Sequence, residues 1–480
     1  MRSRVQTVAA GAVDSVLSVF EDELPTSGEE FKLLEDRLVK VAEDEVVGAV
    51  LGEVLKALHE HEEFVVWSMG AAQRRTPLES KGEADVSVRV SGGSFVGLKT
   101  PYMRPPTPKG PGRPRKQGKR GKRGAGLYPV LAVLGFTLKV SPRVASAVAK
   151  ASSLADSYEE AREVLRGQGL ELSVNRVRGV SARVADAVLF EREGEDGGDP
   201  SALANKRVLV CIDGGRVRYR LEKPGRRRGS GRHGFYAPWR EPKVVSIYTV
   251  DEKGKKTSER PIYEGTLAPW EDATPLIAST LVKFGAKDAA SLTIAADGSE
   301  NIWRGVESIV AAVKIDPAKV TYFVDFYHGV GKLSEASKLV LDWTDQQRLQ
   351  WVRKQSKRLK RGRVTQVILA MEQLPVADKA ALEEKVQYLR KRIELMRYDE
   401  LRKRGLPIGT GSVESAIRRV VNLRLKGAGI FWKPENAERI LALRCRLKAG
   451  RWEEVEGAVY RAALRPERGQ QPALLKRVAA

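Results

Sequence analysis

The sequence predicts an α/β protein built on a mixed five-stranded sheet, preceded by a mostly α-helical region. Three strand-length apolar segments, 207–213, 216–222 and 243–250, follow one another with only loops between them. Two further strands, 292–296 and 320–325, then alternate with helical patterns. The net charge is +23 over 480 residues, an excess that predicts an anionic partner, in the first place a nucleic acid.

Composition and pattern divide the chain into eight segments. These are a helical region (1–80), a β-hairpin with a basic arm (81–125), a helix-turn-helix (126–190), an acidic linker (191–205), the first part of the α/β core (206–329), an all-α insertion (330–405), the final core helices (406–460) and a basic tail (461–480). The only cysteines, Cys211 and Cys445, exclude a disulfide scaffold and an all-cysteine zinc site. With no apolar segment of the ~18 residues that a membrane helix needs, we expect a cytoplasmic, nucleoid-associated protein without a membrane partner.

The N-terminal region combines helix and hairpin patterns. Residues 31–67 carry apolar side chains at helical spacing. Residues 85–99 alternate apolar and polar side chains around Gly92 and Gly93, which predicts a hairpin with a Gly-Gly turn.

Residues 104–124 are rich in glycine, proline and basic residues, a composition that predicts a flexible arm. Its core, residues 112–114, resembles the AT-hook, a short element that lies in the minor groove of A·T-rich DNA. The alternative is a solvated basic linker that touches phosphates without choosing a sequence. In either case the residues expected to contact DNA are Arg113, Arg115, Lys116, Lys119, Arg120, Lys122 and Arg123.

The pattern of residues 142–189 predicts further helices. A short helix over 158–165 is followed by a glycine-containing turn, and Ser173 is suited to cap a second helix over 174–189. In a helix-turn-helix the second helix offers its first residues to base edges, which here are Asn175, Arg176 and Arg178. An ordinary helical hairpin is the alternative.

Three carboxylates stand at structured positions of the predicted core. Asp213 and Asp297 each end a strand, and Glu414 lies in the first turn of a helix that Ser412 could cap. Three meandering strands followed by helix, strand, helix and strand is the order of an RNase H-like domain, in which the first and fourth strands are neighbours. Each carboxylate alone could equally be a turn or cap residue. Together they predict a site for Mg²⁺, because hard carboxylate oxygens can hold two ions against one phosphate.

The loop between the second and third predicted strands is strongly basic. It contains Arg226, Arg227 and Arg228, and we expect these side chains to contact DNA.

The sequence resembles the DDE transposases of bacterial insertion sequences, close to the ISKra-type group and more distantly the Mutator-like superfamily. The matching segments are 211–216, 296–298 with Ile302 and Trp303, 325–328, 405–416, 424–429 with Trp432, Leu443 with Arg444, and 450–452. The resemblance covers residues 80–460, and its most specific part is 405–432.

The resemblance implies that Asp213, Asp297 and Glu414 are the metal-binding catalytic triad, with two Mg²⁺ ions for which Mn²⁺ could substitute. It gives Asp325 and His328 a supporting role, although both could simply cap a helix. It further implies double-stranded DNA partners, namely transposon ends and target DNA, and a homodimer or higher homo-oligomer. Two other functions remain open: a catalytically inactive or domesticated DNA-binding protein, and an RNase H-fold nuclease or resolvase.

Overall fold

Two compact units make up the chain. The computed structural model describes residues 2–18, 31–32, 34, 38–39, 41–106, 126–194, 198–223, 233–462 and 472–479. The first unit is residues 1–193 with 451–473, and the second is residues 194–450 with 474–480. The division after residue 193 falls inside the predicted acidic linker, whereas the predicted end of the core at 460 differs from the observed division after residue 450.

The first unit is mostly helical. Its helices are α1 (Arg2–Ser18), α2 (Gly48–Glu60), α3 (Glu62–Arg75), α4 (Pro129–Val133), α5 (Pro142–Leu154), α6 (Tyr158–Arg166) and α7 (Val174–Glu193), together with the helix Trp452–Ala462, which packs against α5 and α7. The helical prediction for 31–67 is confirmed for the described residues of that range except His61, but the helix is interrupted there and the second helix continues to Arg75. A π-helical segment (Val41–Val47) leads into α2, and the helix stops at His61, whose extended backbone and ring acceptor for the Phe64 N–H start α3 instead.

The predicted hairpin is present, with longer strands than expected. Strand β1 (Glu79–Arg89) pairs antiparallel with β2 (Phe95–Arg104). Gly92 and Gly93 have φ values of +80° and +81°, so the turn needs glycine at both positions. Residues 107–125, which hold every predicted DNA-contacting residue of the basic arm, lie outside the described residues.

The two helices expected after the arm are α6 and α7. The Ser157 hydroxyl accepts a hydrogen bond from the Glu160 N–H at the start of α6. As predicted, Ser173 caps the second helix, its hydroxyl accepting a hydrogen bond from the Arg176 N–H at 3.3 Å. The helix pair therefore exists, and its use in reading DNA stays a prediction.

The second unit contains the mixed five-stranded sheet. The strands of the whole unit are β3 (Arg207–Gly214), β4 (Val217–Arg218), β5 (Leu221–Glu222), β6 (Phe235–Tyr236), β7 (Trp239–Arg240), β8 (Lys243–Val250), β9 (Ile262–Thr266), β10 (Ser291–Ala296) and β11 (Val320–Val324), and five of them form the sheet. The order in the sheet is β11-β10-β3-β8-β9. The first three in that order are parallel, and β8 and β9 run antiparallel to their neighbours.

The prediction that residues 216–222 form a strand of the sheet was wrong. Residues 216–222 do not join it; they form β4 and β5, which pair with β7 and β6 in a separate ribbon. The fifth strand is instead β9, which pairs with β8. The alternating pattern of 216–222 is that of an extended segment, but alternation does not identify the partner strand.

Helices cover both faces of the sheet. They are α8 (Trp270–Lys283), α9 (Glu300–Val313), α10 (Phe326–Lys338), α11 (Asp345–Lys360), α12 (Val364–Glu372), α13 (Lys379–Arg390), α14 (Tyr398–Lys403), α15 (Gly411–Ile417) and α16 (Pro434–Lys448), with a final helix Ala473–Ala479. Helices α8 and α9 share a hydrophobic core with one face, while α15 packs on β3 and β8 and α16 packs on β9.

The predicted insertion is all-helical, comprising the end of α10 and α11 to α14. Helix α15 continues through a π-helical segment (Arg418–Asn422) to Leu425. Within the described parts of the chain, no helix has the length and apolar character needed to cross a membrane.

Candidate metal centre

Three aspartates stand at the carboxyl ends of the three parallel strands. Asp213 is near the end of β3, Asp297 follows β10, and Asp325 follows β11. The strand register aligns the residues that precede them, so the three start from one row. Because Ile212 and Ala296 are buried in the core shared with α8 and α9, the alternation of side chains turns Asp213 and Asp297 to the opposite face, where α15 packs.

A group of three side chains forms the centre of this edge. Ligand atoms of Asp213, Asp297 and His328 lie within 4.8 Å of one another, and all three residues are half-buried. Two carboxylate oxygens and one imidazole nitrogen at this spacing could hold a metal ion. The predicted proximity of Asp213 and Asp297 is therefore confirmed, and His328 is the third member of the group.

The electrostatics of the group favour a cation between the carboxylates. The pKa of Asp213 is raised to about 6: burial and then the negative charges of Asp297 and Glu414 raise it, and the Gly214 N–H and His328 partly offset them. The Gly214 N–H donates to Asp213 Oδ1 at 2.7 Å, and the Ser299 N–H donates to Asp297 Oδ1 at 2.8 Å. Each carboxylate is thus oriented by its own turn, which leaves its second oxygen for a ligand.

Asp325 has a different task, although it stands in the same row. It is fully buried, and its Oδ1 accepts hydrogen bonds from the N–H groups of Tyr327 at 2.6 Å and His328 at 3.0 Å, which caps α10. Its Oδ2 accepts from the Thr410 N–H at 2.5 Å and from the Thr410 hydroxyl. Burial acts to raise the pKa of Asp325, but the hydrogen bonds from His328 and Thr410 prevail and lower it to about 2. Asp325 is therefore a helix cap, one of the two roles considered for it from the sequence.

His328 is held between Asp325 and the two metal-site carboxylates. Its Nδ1 lies 3.7 Å from Asp325 Oδ1. Asp325, and then the charges of Asp213 and Asp297, raise the pKa of His328 against the effect of burial. These carboxylates make the ring easier to protonate, and a protonated ring nitrogen cannot bind a metal.

Glu414 lies in the first turn of α15, as predicted, and is exposed. The prediction that Ser412 caps this helix was wrong: α15 begins at Gly411, and the Ser412 hydroxyl is 2.8 Å from the Ser246 hydroxyl on β8. In the part of the chain that the structure describes, the 4.8 Å group does not include Glu414. Its charge nevertheless contributes to the raised pKa of Asp213, so it stands beside the group rather than in it.

The helical insertion also reaches this edge. Tyr388 on α13 packs so closely on Gly298 that a Cβ at that glycine would lie 2.2 Å from the Tyr388 ring. The Arg392 guanidinium stacks over that ring at 4.4 Å and donates to the Gly298 carbonyl oxygen. The turn that carries Asp297 is therefore fixed by side chains from the insertion.

The predicted DNA-contacting residues of α7 have distinct environments. Asn175 and Arg178 are exposed, and the Arg178 guanidinium donates to Asn175 Oδ1 at 2.9 Å. Arg176 is half-buried and donates to the Leu138 backbone carbonyl, so part of its function is structural. Arg226, Arg227 and Arg228 lie outside the described residues.

Sequence reasoning missed several residues that shape the site. Thr410 and Tyr388 gave no local signal, because each acts on a residue distant in sequence. The exposed aromatic residues Phe235, Tyr236 and Trp239 were also missed, although their clustering next to arginines is visible in the sequence. Comparison with known protein families and with curated proteins finds no match to this chain.

Proposed function

We propose that this chain is a DNA transposase that cleaves the 3′ ends of its element and joins them to target DNA. The observation that carries the proposal is the pair Asp213 and Asp297 at the ends of neighbouring parallel strands, with His328 of α10 within 4.8 Å of both. The strand order β11-β10-β3-β8-β9, with β8 and β9 antiparallel, supports an RNase H-like fold for the second unit. The net charge of +23 supports a nucleic-acid substrate.

In this proposal Asp213 and Asp297 hold the metal, and Glu414 completes the site from α15. The exposed position of Glu414 leaves its carboxylate free to approach a cation placed between the two aspartates. Carboxylate oxygens suit Mg²⁺, or Mn²⁺ in its place. Two such ions, ~3.5–4 Å apart, would activate the attacking oxygen and stabilise the leaving one.

His328 is better suited to support the reaction than to bind the metal. Its pKa is raised, and its ring lies next to both metal-site carboxylates. An imidazolium there neutralises part of their charge and can donate a hydrogen bond to a phosphate oxygen. Asp325 keeps this ring in place through the cap of α10.

The reaction proceeds in two steps at one phosphate-binding edge. Water attacks the phosphodiester at the element's end, and the bond to the 3′ oxygen breaks to leave a 3′-OH. That hydroxyl then attacks a phosphodiester of the target and forms a new bond from the element's 3′ oxygen to phosphorus. The bond from that phosphorus to the 3′ oxygen of the preceding target nucleotide breaks, and this nucleotide leaves with a 3′-OH. The chain must hold two ends at once, so we propose a homodimer or higher homo-oligomer on DNA.

The direct test uses the full-length protein and a plasmid that carries the DNA bordering its own coding sequence. We expect a new 3′-OH end and a joined product in Mg²⁺ or Mn²⁺, and neither product in EDTA. Cleavage without joining would favour the nuclease or resolvase alternative. Sequence-specific binding with neither product would favour the non-catalytic DNA-binding protein.

The basic arm gives a second prediction for the same function. Replacing the seven basic residues of the arm by glutamine should weaken duplex binding and make it less dependent on salt. The slope of the logarithm of the binding constant against the logarithm of the salt concentration should become shallower by about 0.9 for each phosphate that the arm no longer neutralises. The substituted residues are Arg113, Arg115, Lys116, Lys119, Arg120, Lys122 and Arg123. Fluorescence anisotropy between about 50 and 200 mM salt measures the slope.

The matched control for the arm replaces its lysines by arginine, which keeps length and charge. An unchanged slope in the glutamine variant would show that the arm is not on DNA. The fold should tolerate either set of changes, because Met103 and Leu127 on the two sides of the arm exchange backbone hydrogen bonds of 2.9 and 2.8 Å.

A further inference from the structure

A short antiparallel ribbon extends from the sheet at the edge that carries Asp213. The last pair of β3 and β8 is Gly214 with Lys243. Beyond it, β4 pairs with β7 and β5 pairs with β6, so the same two chain segments continue as a ribbon. We call residues 217–223 and 235–240 the ribbon. It begins four residues after Asp213.

The ribbon exposes three aromatic rings within five residues. Phe235 is 37 % exposed, Tyr236 is 56 % exposed, and Trp239 is 45 % exposed. Aromatic side chains are usually buried, because each removes a large apolar area from water. Three of them clustered on a two-stranded ribbon indicate a surface that binds something.

Each of these rings is accompanied by a cation from the opposing strand. Arg218 lies 4.6 Å from the centroid of Trp239, Arg220 lies 4.6 Å from that of Phe235, and Lys223 lies 4.6 Å from that of Tyr236. One cation lies over each ring, Phe235 also makes an edge contact with Phe431 at 5.4 Å between ring centroids, and part of each residue stays exposed to solvent. The arrangement alternates positive charge with π surface along the ribbon.

The local charge balance is positive. The cations on and beside the ribbon are Arg216, Arg218, Arg220, Lys223, Arg240 and Lys433. The acids are Glu222, which pairs with Lys433 at 3.6 Å, the exposed Glu241, and Glu435 and Glu438, whose charges act on Tyr219 of the ribbon. The excess of cations complements a phosphate backbone.

We propose that the ribbon binds unpaired bases of a DNA strand, which stack on Trp239, Tyr236 and Phe235 while the neighbouring cations contact the phosphates. Exposed rings interleaved with basic side chains are the features by which proteins hold single strands. In a duplex the faces of the bases are covered by their neighbours, so this surface selects bases that are unpaired or turned out of the helix. The choice of DNA as the strand rests on the proposed function. The exposed rings and the positive charge are observed independently of it.

The position of the ribbon gives this binding a role in the reaction. Strand cleavage at the end of an element leaves a terminus whose bases must be held while the 3′-OH waits for its target. A ribbon that rises from the end of β3 can hold bases next to the phosphate at Asp213. The ribbon would therefore set the site's preference for frayed or single-stranded ends.

Binding in EDTA tests the proposal without any cleavage. A fluorescent oligo(dT) and a hairpin duplex of similar length are titrated at several salt concentrations. We expect Trp239→Leu to weaken oligo(dT) binding by roughly tenfold, with an unchanged salt slope and unchanged duplex affinity. Trp239→Phe keeps an aromatic face and should restore most of the affinity. Trp67→Leu, at a tryptophan on α3 that is 52 % exposed, is the matched control and should bind as wild type.

The cations have a separate signature. Lys223→Gln and Arg240→Gln should each lower the salt slope for oligo(dT) by about 0.7, because one phosphate is no longer neutralised. The leucine and phenylalanine variants are first compared with wild type by thermal unfolding, so that a misfolded ribbon is recognised. The stacking proposal is wrong if the Trp239→Leu and Trp239→Phe variants bind oligo(dT) equally. It is also wrong if Trp239→Leu weakens binding to the duplex as much as binding to oligo(dT).

The outcome is separable from that of the proposed function. A ribbon that binds oligo(dT) as expected, in a protein that never joins DNA ends, would leave the stacking proposal standing and refute the transposase. A protein that joins ends normally, and whose Trp239→Leu variant binds oligo(dT) as wild type does, would refute the ribbon alone.

Discussion

Asp297→Asn is expected to abolish metal-dependent cleavage and joining while DNA affinity stays at the wild-type level. Asparagine has the same shape and can still accept the 2.8 Å hydrogen bond from the Ser299 N–H, so the turn after β10 should keep its form. What disappears is the negative charge that faces Asp213 and His328. A loss of several kcal/mol in transition-state stabilisation corresponds to a rate at least roughly a thousandfold lower.

Two measurements check this result. The joining assay with Mg²⁺ gives the rate, and anisotropy with element-end duplex in EDTA gives the affinity. Asp316→Asn is the matched control: this exposed aspartate also accepts a hydrogen bond, from the Ala318 N–H at 2.9 Å, but lies outside the metal group. Normal joining by Asp297→Asn would remove Asp297 from the metal site, and a parallel loss of DNA binding would indicate damage to the fold instead.

The order of strands explains why the two aspartates could be paired from the sequence. Two apolar segments that each end in Asp-Gly, at 213 and 297, are local patterns, and the strand order predicts that they are neighbours. The alternation of side chains then fixes the face. By contrast, His328, the third member of the 4.8 Å group, is on α10, and its place depends on the cap made by Asp325.

Two errors of the sequence-based prediction, at β9 and at Ser412, share a physical cause, which is the dependence of local structure on distant partners. Strand β9 contains a glycine and the buried Glu264, a composition unlike that of a core strand. That carboxylate pairs with Arg446, 182 residues further along the chain. Likewise, Ser412 was expected to cap α15, but the anchor is the bond between Asp325 and Thr410, residues 85 apart in sequence.

Asp325→Asn is expected to destabilise the second unit by about 3 kcal/mol, since it breaks a fully buried, charge-assisted hydrogen-bond network. The Oδ1 of asparagine can replace one carboxylate oxygen as acceptor for the Tyr327 and His328 N–H groups. Its amide NH₂ must then face the N–H and hydroxyl of Thr410, both of which donate to Asp325 Oδ2 in the wild type. The Thr410 hydroxyl can rotate to accept from that NH₂, but the Thr410 N–H then faces a donor and is left buried without a partner.

This loss should extend from stability to the metal site, because Asp325 joins the end of β11, the start of α10 and the residue that precedes α15. Urea unfolding measures the free energy of unfolding. The joining rate under fully folded conditions should fall if His328 and Glu414 are displaced.

Thr410→Ser keeps both hydrogen-bond donors and should resemble wild type, whereas Thr410→Val removes the hydroxyl and should lower the free energy of unfolding by about 1–2 kcal/mol. Asp378→Asn is the control: this exposed cap of α13 accepts a hydrogen bond from the Ala381 N–H at 2.9 Å, and its replacement should change stability by less than about 0.5 kcal/mol. Equal, small effects at 325 and 378 would mean that the buried carboxylate does not hold the two helix starts together.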